Sequence, residues 1–328
     1  MGFIKKVPLP LSGVALAWAA LGNLLAGYSV SLKHLCGILS FIGMLLVTCK
    51  YLPDLDILKK DLKNPVLASV SGTYSMSLML LAGYVKPVLF GVADVIWYAA
   101  IVMHFILIIY FTLNFILKFK ISDDNDLMKV FASYFIVYAG IVVVSVTAPA
   151  FNNIFLGKIC FWIGFISYIP LFFYVSLRYI KLGNKKIDAK GLGCIYAAPA
   201  SLCVAGYINS FAEKNIMFLS GLYIFSFAIY LLGIVIACDM CISILKSGQF
   251  KFYPSYAGLT FPFVITAIAG KQFNAVLNKA EIQSALTGIL PSIVNIEIII
   301  AIAGVVFAAI YFAKAVFFET SLEKATAN

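Results

Sequence analysis

YPSYAGLTFPFVITAIAG, residues 253–270, is the stretch on which the reading of this chain turns. It is long and apolar enough to cross a bilayer, and it holds no charged residue. Pro262 interrupts it, and Ser255, Ala257, Gly258, Thr260, Thr266 and Ala267 lighten it. A proline inside a helix removes one backbone hydrogen bond and kinks the helix. At membrane depth the freed carbonyl is tolerated only against protein or in a water-filled cavity. The stretch therefore reads as a pore-lining helix with a bulky aromatic, Phe261, at its bend. The alternative is a buried helix that packs through its small residues.

The rest of the chain places this helix in a membrane. Of 328 residues, 63% are hydrophobic and 12% charged, about half the charge of an average soluble protein. Residues 1–328 read as a single transmembrane domain with no separate soluble domain. A net charge of +10 would suggest nucleic acid in a soluble chain. Here it suits lysines gathered in cytoplasmic loops, and no nucleic-acid partner is expected. The first apolar run follows Lys5 and Lys6 as a signal peptide would. It extends to Tyr28, too long for a signal core, and is read as a mature helix.

Ten apolar segments reach spanning length: Pro8–Tyr28, Leu32–Leu52, Pro65–Val85, Val88–Phe119, Met128–Ala148, Ile154–Lys181, Lys190–Phe211, Ile216–Lys246, Pro254–Phe273 and Ile289–Phe318. Alternate loops starting from the N-terminus collect 18 of the 24 Lys and Arg, Lys185 and Lys324 among them, which puts both termini in the cytoplasm. The odd-numbered segments begin near 8, 65, 128, 190 and 254, in steps of 57, 63, 62 and 64 residues, as a repeated unit would. Short odd-to-even connections predict five antiparallel hairpins. Odd segments are rich in small and hydroxyl residues, such as Ser69, Gly72, Thr73 and Ser75. Even segments are long and bulky, as in FILIIYFTLNFIL at 105–117. Small residues suit close central packing and bulky ones suit lipid. The expectation is an all-α protein with an inner ring of five odd helices, an outer ring of even ones, and kinks at Pro199 and Pro262.

No charge interrupts the interiors of the odd segments. Conduction needs binding weak enough to release the ion. Hydroxyls such as Thr73 and Thr260, with backbone amides at the kinks, are candidate weak donors to an anion. Equally, such hydroxyls bond back to helix carbonyls. Ionisable residues fall on even segments: Asp94, His104, Asp239 and Glu297. They are functional candidates by default at membrane depth, with His104 and Glu297 the deepest, though their outer placement favours hydrogen bonds between helices. The run Ser122-Asp123-Asp124-Asn125-Asp126 suits a helix cap better than a metal-dependent enzyme, because no second acidic cluster completes a site. Seven cysteines lie mostly in apolar segments without disulfide or zinc spacing; Cys238 and Cys241 read as packing. No metal or cofactor is expected.

VPLPLSGVALAW at 7–18, NPVLASVSGTYSMS at 64–77, YAAPASLCVAGY at 196–207 and YPSYAGLTFPFVITAIA at 253–269 together resemble the tellurite-resistance/dicarboxylate transporter family. That family includes bacterial tellurite-resistance protein A, fungal malate and sulfite carriers and the slow anion channel of plant guard cells. The resemblance implies five hairpins around a central pore, quasi-five-fold symmetry, a homotrimer, and a phenylalanine plug on the ninth helix. By position in the TFP motif the plug corresponds to Phe261, with Phe263 as its rival. Thr73, Pro199, Thr260 and Pro262 would line or kink the pore. The expected activity is that of an anion channel in the inner membrane, passing small monovalent anions. The competing expectation is a carrier of C4-dicarboxylates, sulfite or tellurite, with His104 or Glu297 coupling it to protons.

Overall fold

A computed structural model describes residues 3–120, 123–184, 186–248, 251–282 and 285–318. Ser122, Lys185 and Lys324 lie outside them. All regular structure among the described residues is helical. Eight helices are long and apolar enough to cross a membrane, and Leu11–Leu25 is a shorter apolar one.

Five helix pairs follow one another along the chain. The first is α1 (Leu11–Leu25) with α2 (Val30–Tyr51), followed by a short α3 (Leu55–Leu62). Next, α4 (Pro65–Val70) and α5 (Gly72–Val85) lead to α6 (Phe90–Phe111). After the one-turn α7 (Asp124–Leu127), α8 (Tyr134–Tyr138) and α9 (Val143–Thr147) precede α10 (Ile154–Leu182). Then come α11 (Ile187–Gly193) and α12 (Ala197–Ser210) with α13 (Ile216–Ser247). Last are α14 (Phe261–Lys279) and α15 (Ala285–Ala313).

Local chemistry sets the boundaries. Ser29, Asn153 and Asn215 cap α2, α10 and α13, each side chain accepting an N–H from the first turn. Pro65 opens α4 at a position whose N–H would be unpaired anyway. Gly183 and Gly248, at φ 68° and 63°, end α10 and α13, and only glycine takes that conformation without cost.

Within each pair the helices pack together: α1 on α2, α5 on α6, α9 on α10, α12 on α13 and α14 on α15. The first members also pack on one another in a closed cycle, α1–α5–α9–α12–α14 and back to α1. Over their apolar spans, residues 65–85, 134–151 and 187–210 are 67%, 72% and 89% buried, whereas the five long second members are only 22–33% buried. An outer helix with so many uncovered apolar faces needs lipid or another subunit as its surroundings.

Hydrogen bonds between neighbours in the cycle recur at one sequence interval. Ser77 Oγ donates to Ser12 O, Ser210 Oγ to Ser145 O, and Tyr84 OH to Ala19 O, each across 65 residues. Ser69 Oγ reaches Ser133 Oγ across 64. Thr48 with Tyr74 (2.7 Å) and Thr112 with Tyr138 (2.6 Å) form the same pair of hydroxyls one repeat apart.

The kinks differ from the expectation. Pro262 does not bend a continuous helix. A 3-10 turn over Pro254–Leu259 stops at Thr260 (φ −107°, ψ −92°), and Pro262 falls in the first turn of α14. Pro199 likewise sits in the first turn of α12, after a 3-10 turn over Cys194–Tyr196. First-turn N–H groups have no helical partner, so proline costs nothing there. The fifth sequence segment breaks at Ala139–Val142 and the third at Ser71. The prolines inside unbroken helices are Pro170 in α10 and Pro291 in α15, both on outer members.

Candidate functional site

Inside the cycle lie two cavities, one above the other. The first, of about 310 Å³, takes Gly13 from α1, Thr73 from α5, Pro199 from α12 and Pro262 from α14, with Gly140 from the break before α9. The second, of about 440 Å³, takes Asn23, Leu80, Val143, Asn209 and Lys271. Two residues line both: Leu202 of α12 and Phe261 of α14. The Phe261 side chain is 7% exposed and stands between the two spaces.

Phe263 points the other way. Two residues along a helix is a turn of about 200°, and its ring meets Tyr230 of α13 edge-on at 5.9 Å. It fills the seam where Gly233 of α13 and Gly304 of α15 leave room. Of the two phenylalanines, Phe261 faces the interior of the cycle.

The hydroxyls are already engaged. Thr260 is fully buried, donates to Ala257 O at 2.7 Å, and lies behind the cavity wall. Thr73 Oγ1 donates to Val70 O at 2.8 Å and contacts Ser12 Oγ at 2.6 Å, while Ser12 Oγ donates to Leu9 O. Those three contacts share two hydroxyl protons, so neither residue has a proton to spare for an anion without breaking its bond to a backbone carbonyl three residues earlier. Most of both walls is apolar. Asp188 contributes to the first cavity and Lys271 to the second. Lys271 Nζ donates to Leu24 O at 3.1 Å and rests over the Tyr28 ring, while Asn209 donates to Gln272 at 3.0 Å beside it.

The ionisable groups of the outer helices separate clearly. Asp94 pairs with Lys86 at 2.5 Å. Asp239 pairs with Lys190 at 2.5 Å, and Ser243 accepts from the same ammonium. His104 is fully buried, with Nδ1 on Ser75 Oγ (2.7 Å) and Nε2 on Val137 O (3.0 Å). Both ring nitrogens are thus committed to joining α6 to α5 and α8. Glu297, 1% exposed on α15, has neither carboxyl oxygen hydrogen-bonded among the described residues.

Asp123 caps α7 by accepting from Asn125 N at 2.8 Å. The ammonium of Lys129 and the backbone N–H of Lys120 hold the Asp126 carboxyl below its usual range. Among the described residues no cluster of three or more His, Cys, Asp or Glu forms a metal site. Cys238 and Cys241 are exposed on α13, not packed inside as their apolar setting suggested. Sequence reasoning missed Leu202, which carries no chemical signal of its own. Lys271, the one lysine within the ninth apolar segment, was not singled out either.

The family model described as voltage-dependent anion channel (SLAC1) matches residues 6–317. Among curated proteins, none matches the chain significantly.

Proposed function

Since the chain belongs to the voltage-dependent anion channel (SLAC1) family, we propose that the helix cycle encloses an anion pore and that Phe261 is its gate. The observation carrying this reading is that one aromatic ring, with Leu202, is shared by two cavities that all five inner segments surround. The chain is a multi-pass membrane protein of a channel and transporter family. In this reading α1 and the broken segment ending in α14 join the eight longer helices, giving ten crossings in a single transmembrane domain. Both termini are cytoplasmic, the membrane is the inner one, and the exposed outer helices meet lipid or two further copies in a trimer.

Passage is passive. Small monovalent anions suit walls that offer few hydroxyl protons, because a strongly hydrated divalent ion would find little to replace its water. Lys271 raises the local anion concentration at one mouth. Thr73, Pro199 and Pro262 shape the opposite vestibule, with Thr260 fixing the break behind it. Catalysis has no part in this reading.

The test is current across a planar bilayer containing purified protein, wild type beside Phe261→Ala, in asymmetric chloride or nitrate. A large anion-selective current in the variant supports the gate. Equal silence in both, with verified incorporation, removes it. One observation favours a second reading, a carrier of C4-dicarboxylates, sulfite or tellurite: the unpaired carboxyl of Glu297, which a proton-coupled cycle would use. Its sign would be malate or sulfite uptake by proteoliposomes that show no current.

A further inference from the structure

Glu297 is not an isolated oddity. The hydroxyls of Tyr223 and Tyr230 on α13 are also buried without a partner among the described residues. Both lie within electrostatic reach of Glu297. Glu297 and Tyr223 converge at Gly270 of α14, and Tyr230 follows about two turns along the same face of α13. A Cβ at Gly270 would stand 2.8 Å from Glu297 Oε2 and 3.3 Å from Tyr223 OH. The missing side chain thus opens a notch on the back of α14, into which α13 and α15 reach from two sides. Asn274, one turn further along the same face, has a buried Oδ1 without a partner among the described residues.

Few other charges approach. Leu11–Leu25, packed against α15, carries no titratable residue. Lys271 of α14 turns to Leu24 O and the second cavity. Tyr256, in the 3-10 turn that also touches α15, donates to Lys251 O. Lys314, on the turn that continues α15, lies over the Tyr311 ring. A bare carboxylate in the notch would be a buried charge without compensation, which membrane interiors do not sustain. A hard divalent cation such as calcium or magnesium would want six or more oxygens, and the notch supplies only those of one carboxyl and its few neighbours. A proton needs one oxygen and removes the charge altogether, leaving a neutral acid beside two neutral hydroxyls.

We propose that Glu297, with Tyr223 and Tyr230, is a proton-binding site on the gate helix. The site follows from the packing of Glu297 and Tyr223 around Gly270, and its effect on flux rests on the pore reading above. Gly270 and Phe261 share α14, nine residues or about 14 Å apart. Phe263, between them, packs on Tyr230. The protonated acid lets α13, α14 and α15 close together and seats Phe261. Loss of the proton from the carboxyl O–H to water leaves a charge against α14, and the seat loosens. Anion flux therefore rises as the pH is raised.

Two measurements on the full-length protein in phosphatidylcholine vesicles test this. The first is infrared difference spectroscopy across a pH series. The expected result is a protonated-carboxyl C=O band that titrates, shifts in Tyr223→Phe and is absent from Glu297→Gln. This readout needs no working pore, so it separates failure of the proton site from failure of the channel reading. The second is chloride efflux against pH. Wild type should change by about fivefold or more, the lower end of ordinary coupling between sites, and Glu297→Gln should stay flat and low. A wild-type spectrum without such a band overturns the proposal. So does a Glu297→Gln variant that keeps the wild-type pH profile. If the band is missing and flux instead follows replacement of sodium by a large organic cation, the site holds a metal cation and the proton assignment falls.

Discussion

Replacing Phe261 with alanine removes the one ring that stands between the two cavities. In the gate reading, opening of the wild type requires that ring to leave a seat in which it is 7% exposed. Full burial of a phenylalanine is worth about 1.5–3 kcal/mol, and moving the ring into a vestibule forfeits roughly half of that. An off-rotamer side chain adds about 0.5–1.5 kcal/mol. The closed seat is therefore favoured by about 1–3 kcal/mol, and since 1.4 kcal/mol is tenfold, Phe261→Ala should raise anion current by about 5- to 150-fold. Phe263→Ala is the control. Its ring fills a packed seam against Tyr230, Gly233 and Gly304, so its loss should cost about 3–5 kcal/mol of stability and raise the current far less than loss of the Phe261 ring. The assay is macroscopic current per incorporated protein in planar bilayers, with thermal unfolding in detergent alongside. A rise of less than twofold in correctly folded Phe261→Ala would refute the gate, as would an equal rise in Phe263→Ala.

Other outcomes follow from the same geometry. Lys271→Gln removes the charge on the second cavity. Conductance should fall about threefold to fivefold in dilute salt and hardly at all at about 1 M, where the Debye length shrinks to about 3 Å; single-channel recording of the open variant reads this. Tyr74→Phe and Tyr138→Phe each delete one member of a repeated hydroxyl pair. Each should cost about 1 kcal/mol, and the double variant should show the sum; unequal losses would count against structural equivalence of the repeats. Gly258→Ala would drive a methyl into the backbone of Gly191, at a cost of about 1–3 kcal/mol or more, seen as a lower unfolding temperature.

The hairpin pairing and the odd–even contrast were legible because both rest on composition: small residues where helices meet each other, bulky ones where they meet lipid. The repeat showed in segment starts, and the hydrogen bonds across 64 or 65 residues give it atomic form. Pro262 was read as a kink because a sequence shows where a proline lies but not which of its neighbours is the helix's first residue. Thr260 settles that through its backbone angles, which no pattern encodes. Choosing between Phe261 and Phe263 needed the rotational phase of α14, and the apolar residues on all sides of that stretch hide it. The Glu297 cluster was half visible. The carboxyl stood out at membrane depth, but Tyr223 and Gly270 come from helices whose contact only the fold brings about.

Four of the inner segments restart as full helices at the first cavity. Gly13, Thr73, Pro199 and Phe261 all lie within the first three residues of α1, α5, α12 and α14 and line it. A helix amino end carries roughly half a positive charge, set by aligned peptide dipoles. These amino ends lean the chamber positive without any basic side chain contributing, against the Asp188 carboxylate on the same wall. Such a field cannot be removed by changing a residue, nor can it clamp one ion as a fixed lysine would. In the pore reading, a preference for negative ions would come from where the backbone is broken, leaving the side chains lining the chamber free to vary in size.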